Sequence, residues 1–116
     1  MCTGAAAAHH SLTGIYDSTQ RVTIEGVVVR FDFINPHPFL IITVTETSGT
    51  PHEWRLEMDN RFELARIGVT ESTLKPGDRV VVSGSLGRKE PRILYIRRLD
   101  RPADGFRYEQ IGSQPR

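Results

Sequence analysis

The sequence predicts an all-β fold: a small five-stranded Greek-key barrel with one helix between strands three and four. Three observations carry that expectation. Apolar and polar residues alternate in five short stretches, the period of a strand with one buried face. Clusters of Gly, Pro, Asn, Asp and Ser separate those stretches. Only the segment 60–67 spaces its apolar residues as a helix does.

Composition narrows the field further. At 116 residues the chain is one domain by length. Fifteen basic residues against fourteen acidic ones give a net charge of +1, unlike a dedicated nucleic-acid binder or an acidic tail. A single cysteine excludes an intrachain disulfide and a Cys-rich metal site. No apolar run approaches the roughly 18 residues of a membrane span.

Residues 1–11 read as a leader or signal-peptide remnant, and residues 12–116 as the single domain. Four alanines precede His9. Ala6 and Ala8 satisfy the small-residue rule of an export cleavage site, which would make His9 the mature N-terminus. On that reading the protein is periplasmic or secreted. Cys2 falls in the leader and is read as an ordinary terminal thiol rather than a lipid-attachment site.

From Gln20 the pattern is β. Val22, Ile24, Gly26 and Val28 alternate with Thr23, Glu25, Val27 and Val29, and Phe31 and Phe33 continue the strand. Gly26 stands at a change of phase, where a bulge is expected. Asn35-Pro36-His37-Pro38 ends the strand, because proline lacks a donor and biases its neighbour to extended shapes. Strand two is Phe39 to Thr47, and a Ser-Gly-Thr-Pro turn leads to strand three, His52 to Met58. Glu53, Arg55 and Glu57 share one face of it, which reads as a solvated ladder of ion pairs.

Asp59 or Asn60 caps the helix. Phe62, Leu64, Ala65 and Ile67 form its apolar stripe, and Gly68 stops it. Pro76-Gly77 makes a turn with the glycine at its third position. Arg79 to Gly84 is strand four, Gly84-Ser85-Leu86-Gly87 a hairpin loop, and Arg92 to Leu99 strand five. Phe106 and Tyr108 add at most a short edge strand. This order fits an OB-like barrel, whose first strand is long and coiled and whose closure removes exposed edges. A partly open β-sandwich or roll with one covering helix is the runner-up.

An ordered set of short strings now carries a resemblance. It runs His9-His10-Ser11, Tyr16-Asp17, Val22-Thr23-Ile24-Glu25-Gly26-Val27-Val28, Asn35-Pro36-His37 and Trp54-Arg55-Leu56-Glu57. It continues through Leu64-Ala65-Arg66-Ile67-Gly68, Leu74-Lys75-Pro76-Gly77-Asp78-Arg79-Val80, Gly84 and Asp104-Gly105. The chain resembles, from His9 to Phe106, the small exported bacterial proteins grouped as domain-of-unknown-function family 6152. The resemblance implies an OB-like barrel, export, and a mature terminus near His-His-Ser, with no established activity. Phe33 stands where tryptophan is more usual, and Pro38 and His52 are departures from the pattern.

Candidate chemistry is sparse. Asn35, His37 and Trp54 are the candidate ligand-binding residues, because the loop between strands one and two borders the ligand face of OB barrels. His9, His10 and His37 are the candidate metal ligands, since imidazole suits copper and zinc and a terminal histidine adds its amine. No Ser-His-Asp elbow, phosphate-cradling loop or HExxH motif is present, so no catalytic residue is assigned and the chain is read as a non-enzyme. Residues 88–101 hold six basic residues against two acidic ones. With Phe31, Phe33, Phe39, Trp54 and Tyr95 they raise single-stranded nucleic-acid binding as the weaker alternative. The first reading is an exported binding or accessory module of unknown ligand, and the second a periplasmic copper- or zinc-binding protein.

Overall fold

Strand β1 (Tyr16–Asp32) is long enough to serve two partners, and the architecture grows from it. The computed structural model describes residues 12–111. Residues Tyr16–Val27 of β1 pair antiparallel with β4 (Arg79–Gly87), and Val27–Asp32 pair antiparallel with β2 (Phe39–Thr45). Strand β2 pairs with β3 (Pro51–Glu57) from Phe39↔Glu57 to Thr45↔Pro51. Strand β5 (Ile93–Arg101) lies against β4 on one side and β6 (Phe106–Glu109) on the other. A short parallel pairing of β3 with β5, Arg55↔Ile93 to Glu57↔Tyr95, joins the two ends of the β1–β5 sheet into a ring. The protein is therefore all-β, with six strands in one sheet rather than the five expected.

Alternation fills the ring. Leu40, Ile42, Leu56, Val82, Leu94 and Ile96 point inward and are fully buried. Ile93 and Tyr95 alternate with Leu94 and Ile96, so they lie on the opposite face of β5. There they pack with Tyr16 and with Leu12, which precedes β1, as a small second cluster.

Three local expectations need correction. Strand β1 begins at Tyr16, four residues before Gln20. Its register shift against β2 falls between Val28 and Arg30, not at Gly26. Gly26 is required for another reason: a Cβ there would run into the Thr43 carbonyl oxygen. Residues 84–87 are not a hairpin loop but the last part of β4, where a Cβ on Gly84 would strike the Tyr95 carbonyl oxygen. The Pro-Gly turn matches its reading, with Gly77 at φ 93° and Asp78 N–H donating to Lys75 O at 3.0 Å.

Helix α1 (Arg61–Arg66) follows Glu57 and precedes Arg79 in the chain. Asn60 caps it: its side chain accepts from Glu63 N–H, and the Glu63 carboxylate accepts from Asn60 N–H. The helix is smaller than its apolar stripe suggested. Only Leu64 is buried, while Phe62 and Ile67 are exposed.

The Asn-Pro-His-Pro loop is fastened to the junction of β3 and α1. Pro38 O accepts from Met58 N–H at 3.1 Å, and Pro36 O accepts from Arg61 N–H at 3.2 Å. The Asn35–Pro36 peptide bond is cis.

Candidate functional site around His37

The loop's two backbone anchors bring His37 over the end of β3. Its Nδ1 donates to the Met58 carbonyl oxygen and lies 3.6 Å from Glu57 Oε2. The ring packs edge-on to Tyr95, with centroids 6.3 Å apart. Because Nδ1 carries the proton in that bond, the neutral ring holds its lone pair at Nε2. About a fifth of the side chain is exposed.

Glu57 is buried, contrary to the solvated ladder expected of Glu53, Arg55 and Glu57. Tyr16 OH donates to Glu57 Oε1 at 2.7 Å across a sequence separation of 41 residues. The start of β1 covers this face, and Arg55 turns to lie over the Phe39 ring at 5.0 Å.

Two residues on, Asp59 is wholly buried and accepts from Tyr95 OH, Tyr108 OH and the Ile111 N–H. All three tyrosines of the chain thus give their hydroxyls to the carboxylates at 57 and 59. Burial first, then the charge of Glu57, pushes the Tyr16 phenol far above its ordinary range. Burial first, then the bond to Asp59, does the same to Tyr108. The network keeps the phenols of Tyr16 and Tyr108 neutral and occupies both carboxylates with hydrogen bonds.

The predicted ligand residues do not converge. His37 is held as described, and Asn35 is exposed on the same loop. Trp54 stands opposite Ile42 on β3 and packs against the interior of the ring, on the other face from Glu57. Its Nε1 is buried without a well-aligned hydrogen bond. That N–H still adds the last and weakest pull on Glu46. The carboxyl of Glu46 is held below its ordinary range by a hydrogen bond from Arg92 first, with Arg92 and His52 charges further down. His9 and His10 lie outside the described residues. Among the described residues no three His, Cys, Asp or Glu side chains gather as a metal cluster.

Sequence reasoning did not bring Tyr16, Glu57, Asp59, Tyr95 and Tyr108 together as one network. The one available signal was that two acidic residues flank Met58 at the end of a strand, directly before a helix cap. Within the basic stretch Arg88 pairs with Asp17, Arg92 with Glu46, Arg98 with Asp100, and Arg101 with Asp78 and Asp104.

A β-ring with a histidine-bearing loop docked on a buried tyrosine–carboxylate network is the class of protein that the fold and site define. The family model described as "Family of unknown function (DUF6152)" matches residues 1–92, and the chain belongs to that family. No curated protein matches it. Among the described residues no helix is long and apolar enough to cross a membrane.

Proposed function

We propose that this chain is an exported, non-enzymatic binding or accessory module built on an OB-type barrel, and that it meets its ligand at His37. The single observation behind this reading is the way the ring is held. Nδ1 is committed to Met58 O beside Glu57, and Nε2 is left as the acceptor. A loop between the first two strands borders the ligand face in OB barrels, and the succession β1-β2-β3-β5-β4 supports that comparison. Expression from the natural gene with its full leader tests the export half. A periplasmic product whose intact mass begins at His9 is expected; an uncleaved cytosolic product overturns it.

One observation favours a second reading, a copper or zinc protein using His9, His10 and His37. Metal-bound histidines usually give their other ring N–H to a carbonyl or carboxylate, as His37 does. Leu12 packs against the cluster of Tyr16, Ile93 and Tyr95, whose Tyr95 ring His37 abuts, and His10 precedes Leu12 by only two residues. Two residues of chain reach about 7 Å. Copper(II) and zinc(II) titrations of a chain beginning at His9 test this reading. Tight binding that His37→Ala removes supports it, and affinity no better than about micromolar overturns it.

A further inference from the structure

Four of the five exposed large hydrophobic residues among the described residues gather around α1. Phe62 is 71% exposed on the helix, Ile67 is 54% exposed at its C-terminal cap, and Ile34 is 49% exposed on the loop beside it. Ile111 joins them, since its N–H is tied to Asp59 just before the cap. Arg61 links loop and helix: its N–H donates to Pro36 O and its guanidinium lies 5.0 Å over the Phe33 ring.

The charge of this corner points one way. Arg61 and Arg66 are two of the six described arginines without an ion pair among the described residues, and they are the two that flank the exposed Phe62 on the helix. The one acidic side chain of the helix, Glu63, is occupied in the capping box. An exposed aromatic and branched aliphatics flanked by guanidiniums without carboxylate partners complement a surface that is apolar below and negative above. We propose that the α1 corner docks on an anionic lipid surface, Phe62 entering the headgroup boundary and Arg61 and Arg66 meeting lipid phosphates. The proposal stands apart from what His37 binds, because the partners of the imidazole are Met58 O, Glu57 and Tyr95 and not these side chains.

The test is co-sedimentation of the full chain with phosphatidylcholine vesicles, with and without phosphatidylglycerol. Binding to the phosphatidylglycerol vesicles alone, weakened by salt, is expected. Phe62→Ser, at a solvated position, should lower partitioning about tenfold or more. The pair Arg61→Gln and Arg66→Gln should abolish the anionic preference. A Phe62→Trp variant should shift its emission to the blue on anionic vesicles. Absent vesicle binding, equal binding by Phe62→Ser, or concentration-dependent self-association through Phe62 without vesicle binding would each overturn the proposal.

Discussion

Asp59 carries more of the structure than any residue in the catalogue of candidate ligands. Its carboxylate collects two phenol hydroxyls and a backbone N–H from β5, β6 and the segment after β6, so one side chain fixes where the chain's C-terminal part lies. Asp59→Asn puts an amide where one oxygen accepts, and leaves a buried donor facing donors. A loss of about 3 kcal/mol is expected in urea unfolding, within the range for breaking a buried charged bond. Tyr108→Phe removes one bond and should cost about half as much. If Asp59→Asn unfolds at the wild-type urea midpoint, the network is not what holds β6. At this scale the sequence was only partly legible. His37 stood out because two prolines bracket it, whereas Glu57 read as solvated because the Tyr16 hydroxyl that covers it is distant in sequence. Strand period says which face a residue takes, but not whether another segment lies over that face.

Elements were the most legible level, and their failures have local causes. Alternation located β1 to β5, because each strand buries one face in a single ring. The end of β4 was misread since Gly84, Ser85 and Gly87 look like turn chemistry. In the structure the glycine at 84 admits the close approach of β5 instead. Gly84→Ala should therefore destabilise by about 2–3 kcal/mol, the cost of overpacking where backbone must yield. Thermal unfolding measures it, and an unchanged midpoint would sink the close-approach account. Arg101 shows how loops are tied to these strands. Its guanidinium donates to Thr73 O at 2.6 Å, to Asp78 at 2.8 Å and to Asp104 at 2.9 Å. It also lies 5.0 Å over the Phe106 ring. Lysine keeps the charge but not the planar fork, so Arg101→Lys should lose about 1–2 kcal/mol. Hydrogen exchange should then rise in the 73–78 turn and the 102–105 turn together. A rise in only one of them would mean that Arg101 does not couple the two.

At the scale of the whole molecule, a closed ring was expected from the order of elements, but which two strands close it was not legible. The three-residue parallel contact of β3 with β5 has no signature in the alternation of either strand. The glutamate and tyrosine paired there, Glu57 and Tyr95, belong to the same buried network that fastens Tyr16, Asp59 and Tyr108. Closure and network should therefore fail together, and pH is the means to show it. Tyr16 and Tyr108 have phenols held far above their ordinary value of about 10, by burial first and carboxylates next. A raised folded-state value stabilises fully below the unfolded one, and the contribution is lost as pH rises past about 10, where only the unfolded chain releases the protons. Each of these two tyrosines then removes about 1.4 kcal/mol per pH unit, so together they contribute about 3 kcal/mol per unit to the alkaline slope. The acid side has the opposite sign. Asp17, Glu46, Asp78, Asp100 and Asp104 are held below their ordinary values, led in turn by bonds from Thr19, Arg92, Lys75 N–H, Arg107 and Arg101. Their contribution is present above the usual carboxylate value of about 4 and fades as pH falls below it. These groups are mostly solvated, so salt should flatten the acid limb and leave the alkaline one intact. Urea midpoints measured across pH, at low and high salt, give both limbs. Tyr16→Phe or Tyr108→Phe should each lower the alkaline slope by about 1.4 kcal/mol per unit, because each removes one withheld phenol. An alkaline limb that neither substitution changes would place the base sensitivity elsewhere and detach the network from the closure of the ring.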